Sequence, residues 1–368
     1  RAGAPLTERV TVHVLDTETN APSLGRSGAP CARPTRSRKA AESHLYRVRY
    51  RALKSFRRDW ARHAWRGSLL GARFDMLFGA PFGVALGALL GALSGSSGAI
   101  AQEQTRTPER DCGEVIAIET HAGTTTRYAF VAPPPTPAPA EPITLLLLAG
   151  GSGRVDLDAL GCARALKGNS LVRAIPLFGA QGFGTALVDA PSNHAGDDGL
   201  AGFRTMPAHA QDLGRVIADL RTRTKGAVWL VGTSRGSLSA ANAAARLSGP
   251  AAADGVVLTS ALMSGGNSAR KPWVAQSVFD LPLEDIKQPL LVVGHSADRC
   301  IRSPPTLMGR IVARTQGVRE QVITVTGGPG LDGPIDTSAC EGRSAHGFIG
   351  QEAELVAGIA RFVRGGRY

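Results

Sequence analysis

Ser234 lies in Gly232-Thr233-Ser234-Arg235-Gly236, directly after the apolar run Val228-Trp229-Leu230-Val231 and ahead of an Ala-rich stretch at 237–247. Gly and Ser are common in this chain, so the five residues alone say little; their place between a strand and a helix says more. A sharp strand-to-helix turn lifts a serine hydroxyl above a sheet, and the flanking glycines keep Cβ atoms out of the crowded backbone there. The helix N-terminus that follows favours a developing anion. A serine hydroxyl is a weak nucleophile near neutral pH and needs a base that is itself held by a carboxylate. On a strand–turn–helix serine the partners follow in the order serine, acid, histidine. Asp298 stands five residues past Leu290-Leu291-Val292-Val293, and His346 lies in Ser344-Ala345-His346-Gly347-Phe348, ahead of the last helical segment. The three residues have the types and order for nucleophilic acyl transfer.

Acyl transfer also needs two backbone N–H groups for the oxyanion. Arg235, next after the serine, supplies one expected donor. Gly151, in the Gly150-Gly151-Ser152-Gly153 turn, supplies the other. That turn has neither a Lys-Ser/Thr pair after it nor G-x-G-x-x-G spacing, so it does not read as a phosphate cradle. Other residues compete less well. His121, His194 and His209 precede the serine; His209 is expected on a helix surface and His194 at most along a cleft. His295 precedes Asp298 and is expected in an ordinary loop role. Asp332 and Asp336 read as solvated turn residues.

Cys112, Cys162, Cys300 and Cys340 lack the C-x₂₋₄-C spacing of a zinc site, and no metal or organic cofactor is expected. Cys300 stands two residues after Asp298 and Cys340 six before His346. If acid and base meet, their loops meet, and a Cys300–Cys340 disulfide becomes geometrically reasonable, leaving Cys112 for Cys162. Such a bridge would tie the acid loop to the base loop.

The elements that must hold these residues alternate. Strands are expected at 114–118, 125–131, 143–148, 184–189, 228–231, 256–258, 290–293 and 322–325. Helices are expected at 171–181, 206–223, 237–247 and 351–363. Alternation of this kind predicts a mainly parallel sheet covered by helices on both faces, with an antiparallel hairpin at its start. The proline-rich stretch at 132–142 (APPPTPAPAEP) reads as a connector within one domain.

Charge and length complete the picture. The chain has 368 residues and a net charge of +12, but residues 1–75 hold 16 Lys/Arg and 6 Asp/Glu, a net of +10. The rest is nearly neutral, which removes the electrostatic case for nucleic acid. A hydrophobic content of 43% against 20% charged excludes a chain disordered throughout. Residues 1–75 read as a basic leader outside the working protein. Residues 76–101 contain no charge, and 82–93 (FGVALGALLGAL) has the length of a signal-peptide core. Ala99-Ile100-Ala101 offers a cleavage site before Gln102. The expectation is an exported protein, periplasmic or secreted, whose 102–368 portion is the catalytic domain. Four cysteines fit that compartment. Contact with a membrane is expected only if 76–101 is kept as an anchor.

Across about 110–368 the chain resembles the α/β-hydrolase superfamily, in AGGSG after a buried strand, VGTSRGSLSA at the serine, VVGHSADRC at the acid and SAHGF at the histidine. It is similar in particular to exported bacterial members related to dienelactone hydrolases. The resemblance implies about eight strands, with Ser234, Asp298 and His346 as triad. It also implies a small-molecule ester or acyl substrate and no cofactor. Two departures stand out. Ala149 occupies a position where many relatives carry histidine, which removes a side chain that braces the oxyanion turn. Only about 28 residues, 261–288, separate two strands where lids are usually inserted, so the cap should be small or absent. Peptidase or thioesterase chemistry on the same scaffold is the nearest alternative reading. A hydrolase-shaped binding protein without chemistry is the alternative from another class.

Overall fold

The structure, a computed structural model, describes residues 13–15 (backbone), 112–134, 141–266, 270–317, 319–329 and 333–368. The described residues fall in one compact unit. Asp332, the signal-like stretch at 76–101 and most of the basic leader lie outside them. No helix among the described residues is long and apolar enough to cross a membrane.

Nine strands form one sheet. In chain order they are β1 (His13–Leu15), β2 (Glu114–His121), β3 (Thr124–Val131), β4 (Ile143–Leu148), β5 (Gly184–Val188), β6 (Ala227–Thr233), β7 (Gly255–Thr259), β8 (Leu290–His295) and β9 (Glu320–Val325). Across the sheet they run β1-β9-β8-β7-β6-β4-β5-β3-β2. The six strands from β5 to β9 are parallel. The β2–β3 hairpin joins one side antiparallel through β5, and β1 pairs antiparallel with β9 on the other. With helices on both faces this is the α/β-hydrolase fold. Eight of the strands are those expected from the sequence; the ninth, β1, comes from the basic N-terminal stretch.

The apolar runs alternate between faces, as a period of two requires of strands buried on both sides. Leu146, Leu148, Leu230, Val256 and Val292 enter one core. Leu145, Leu147, Val231, Val257 and Val293 enter the other. The helices α1 (Ser170–Ala180) and α5 (Glu352–Val363) cover the second face through Leu171, Phe178, Leu355, Ile359 and Phe362. The helices α2 (Pro207–Thr224) and α3 (Gly236–Arg246), with the one-turn α4 (Gly309–Val312), cover the first.

The strand order decides where a site can form. From β4 the chain crosses to β5 on one side and later returns to β6 on the other, so the topology switches at β4. Loops diverging at the carboxyl ends of such strands leave a crevice between them. Leu148 at the end of β4 is in register with Gly232 at the end of β6. The 150–153 turn and the serine turn are therefore neighbours. Between β7 and β8 the described residues hold only three short 3₁₀ turns, Pro272–Ala275, Val278–Asp280 and Leu283–Asp285, with no α-helix. The cap is correspondingly small.

Candidate active site

Ser234 is held at the top of the β6–α3 turn in the left-handed region, with φ of 50°. A serine there costs conformational energy, so neighbouring contacts must impose it. Its amide donates to Thr259 O at 2.9 Å, and its carbonyl accepts from the Ser237 hydroxyl at 2.6 Å. The same hydroxyl accepts from the Leu262 amide at 3.0 Å. A Cβ on Gly236 would overlap the Leu148 carbonyl oxygen, and one on Gly232 would meet Gly236 O. These close approaches are the physical content of the G-x-S-x-G pattern.

Asp298 and His346 meet. The ring Nδ1 lies 2.9 Å from Asp298 Oδ2 in a buried contact. Ser303 joins the pair: its hydroxyl donates to the same Oδ2 at 2.8 Å and lies 2.9 Å from Nδ1. The other carboxylate oxygen accepts the Cys300 amide at 2.8 Å. With a carboxylate facing Nδ1, the proton belongs on that nitrogen and Nε2 carries the free lone pair. Nε2 is buried and has no hydrogen-bond partner among the described residues. Ser234 and His346 line one cleft of about 310 Å³, together with Gly150, Gly151, Asn169 and Cys340. Neither the Gly151 nor the Arg235 amide has an acceptor among the described residues.

The histidine loop is pinned from several sides. Ser260, at the end of β7, donates to His346 O at 2.8 Å, and the Ser344 hydroxyl accepts the His346 amide at 3.1 Å. Arg173 on α1 donates to Gly342 O at 2.8 Å and Gly347 O at 2.9 Å, and pairs with Glu352 of α5 at 2.7 Å. Disulfides join Cys300 to Cys340 and Cys112 to Cys162. The first links the acid loop to the segment ahead of His346. Asp298, Cys300 and His346 also group as metal-ligand types, but the Cys300 sulfur is committed to its disulfide.

The Arg235 side chain stacks on Trp273, its guanidinium carbon 3.9 Å from the ring centroid. Its Nη2 is buried without a partner, and burial, reinforced by Arg302, pushes the group down to about 10.

Among the competing residues, His295 ends β8, buried, with Nε2 donating to Gln351 Oε1 at 2.6 Å and Nδ1 accepting the Ala297 amide. His194 stacks on Phe203 at 4.1 Å. Asp336 accepts from Ser338 and Ala339 in its own turn. His209 corrects its expected surface position: it is 3% exposed, and its Nε2 lies 2.9 Å from Ser239 Oγ. Counting back in helical steps from Leu213, Val216 and Leu220 puts 209 on the buried face of α2, so the spacing was a better guide than the residue type. Ser303, Ser260, Arg173 and Arg204 had no sequence signal. Their partners are distant in the chain, and a lone Ser or Arg carries no periodic pattern.

No family model and no curated protein matches the chain. Solved structures similar to it include XC6422 of Xanthomonas campestris, an α/β serine hydrolase without a lid, at 15% identity and TM-score 0.39, covering 66% of this chain and 94% of that one. Est1E of Butyrivibrio proteoclasticus matches at 12% identity and TM-score 0.45, covering 68% and 98%. A proline iminopeptidase of Mycobacterium smegmatis matches at 14% identity and TM-score 0.45, with the same coverage.

Proposed function

We propose that the protein is an exported serine hydrolase that cleaves a carboxylic ester through an acyl-enzyme. The observation carrying this reading is the His346 ring: Nδ1 is bonded to buried Asp298, while Nε2 is unpartnered in a protein whose Ser234 and His346 line one cleft. In the first half-reaction the Ser234 hydroxyl attacks the ester carbonyl and His346 Nε2 takes its proton. The Gly151 and Arg235 amides receive the charge that develops on the carbonyl oxygen. As the intermediate collapses, the C–O bond to the leaving group breaks and His346 gives the serine's proton to the departing oxygen, which leaves as the alcohol. Water then attacks the acyl-enzyme by the same route and releases the acid. Asp298 stays ionised; it fixes the tautomer and stabilises the imidazolium formed in each half.

The small connection between β7 and β8 supports an open cleft and a small-molecule substrate. The two disulfides and the signal-like stretch at 76–101 support export. Turnover of p-nitrophenyl esters, aminoacyl amides and lactones, compared at matched enzyme concentration, tests the reading. It predicts the highest kcat/KM on an ester. Amide turnover exceeding ester turnover would overturn the ester assignment in favour of a peptidase.

A further inference from the structure

Arg204 is the largest fully buried side chain of the protein's described residues, and it pairs with no carboxylate. It belongs to the short 3₁₀ turn Ala201–Thr205, ahead of α2. Its guanidinium reaches the 150–153 turn from below: Nη2 donates to Ala149 O at 3.0 Å and to Gly151 O at 3.4 Å, while Nη1 donates to Ser239 Oγ at 2.8 Å. A Cβ on Gly153 would overlap Nη2, so this glycine makes room for the arginine. The residue itself is anchored by Asn242 of α3, whose amide donates to Arg204 O at 3.0 Å.

Behind the guanidinium lies a small cavity that leaves about 10 Å³ for the centre of a water molecule, the size one water needs. Arg204, His209 and Asp212 all line it, and each has one buried atom without a partner: Arg204 Nε, His209 Nδ1 and Asp212 Oδ2. Their hydrogen-bonding roles are fixed by their other contacts. Ser239 Oγ accepts from Arg204, and among the described residues the acceptor within reach of its proton is His209 Nε2, so the hydroxyl donates there and the ring proton sits on Nδ1. Asp212 Oδ1 is taken by His121 Nδ1 at 2.8 Å, leaving Oδ2 as acceptor. The cavity thus presents two donors and one acceptor. A water matches this set, accepting from Nε and Nδ1 and donating to Oδ2. Arg204 opposes a cation there, and Asp212 opposes an anion.

We propose that Arg204 is the residue that positions the oxyanion turn, and that one water bridging Arg204, His209 and Asp212 secures it from behind. The proposal rests on the hydrolase reading above. Arg204 holds the Ala149 and Gly151 carbonyls, which flank the Gly150–Gly151 peptide on either side, and the Gly153 amide donates to Gly150 O within that peptide at 3.0 Å. The plane that carries the Gly151 N–H is thus fixed from three points. The attraction of Asp212 reaches the buried guanidinium through the water.

The test measures kcat per labelled active site, KM, and inhibition by phenylboronic acid, whose tetrahedral serine adduct mimics the intermediate. Wild-type labelling by a fluorophosphonate comes first: if it fails, the hydrolase reading falls and this inference with it. Given labelling, Arg204→Gln is expected to lower kcat about 10- to 100-fold, less than the loss of an oxyanion donor itself. KM should stay within about threefold, and boronate binding should weaken by the same factor as kcat. Arg204→Lys should recover part of both. Ser239→Ala, which removes one acceptor, and Asp212→Asn, which removes the charge behind the water, should each cost about three- to tenfold in the same two measures. They keep the proposal testable if Arg204→Gln does not fold. Wild-type kcat per labelled site and unchanged boronate binding in a folded Arg204→Gln, or in both milder variants, would overturn it. So would a crystal structure that shows the cavity dry.

Discussion

The residue scale carries most of the chemistry and divides into what residue type reveals and what only the structure reveals. Ser234 was legible because its neighbours are glycines between a strand and a helix, and Asp298 and His346 because each follows a strand in the right order. Ser303 was not legible: it reaches Asp298 and His346 only once the two loops are folded together. The Asp298–His346 contact predicts that Asp298→Asn lowers kcat by about 10³- to 10⁴-fold with little change in KM, since the amide would stabilise the wrong ring tautomer. Steady-state kinetics on an ester checks it. Ser303→Ala should cost only about three- to tenfold, because the carboxylate keeps the Cys300 amide and the ring. His209 gives a pH prediction of definite sign. Burial first, then the charge of Arg204 and then His194, push it down to about 3, against about 6.5 in an unfolded chain. Between those values the unfolded chain binds a proton that the folded one refuses. Stability is therefore full above about pH 6.5 and falls as pH drops through that window. Denaturant midpoints measured from pH 7 to pH 4 should fall less steeply for His209→Gln than for the wild type.

At the element scale, position follows from the period of apolar residues, and detail follows from contacts between elements. The parallel strands were legible because ITLLLL, VWLV and LLVV can only be buried on both faces. The helices at 170–180, 207–224, 236–246 and 352–363 lie within a residue or so of their expected bounds. The one-turn α4 and the 3₁₀ turns between β7 and β8 were not legible, since segments of three or four residues complete no apolar period. The β6–α3 turn depends on contacts its own sequence does not announce, such as Gly236 against Leu148 O. Gly236→Ala should therefore destabilise by about 1–3 kcal/mol and depress activity beyond that loss, measured as kcat per folded molecule. The Cys300–Cys340 bridge closes a loop with a sequence separation of 40. Replacing both cysteines by serine should remove about 2–4 kcal/mol. The same variant should lower kcat, because the bridge also links the acid loop to the base loop. An unchanged melting temperature would show that the link is redundant.

At the scale of the whole molecule, the charge of +12 describes mostly the N-terminal stretch, and the body that carries Ser234, Asp298 and His346 is nearly neutral. One sheet supplies all three residues from the carboxyl ends of its parallel strands, and the switch at β4 sets the Gly151 turn beside the serine. The proposed export with cleavage before Gln102 would remove the edge strand β1 and leave the other eight strands of the sheet. N-terminal sequencing of the protein recovered outside the cytoplasm should therefore begin at Gln102; a start upstream of 76 would contradict cleavage there. The claim on which everything else depends is that Ser234 is an activated nucleophile. Fluorophosphonate labelling of the folded protein, followed by mass spectrometry of the modified peptide, tests it most directly. The account predicts one adduct, on Ser234, absent in Ser234→Ala and strongly slowed in His346→Ala. A folded, monodisperse protein that takes no label, or takes it on another residue, would contradict it.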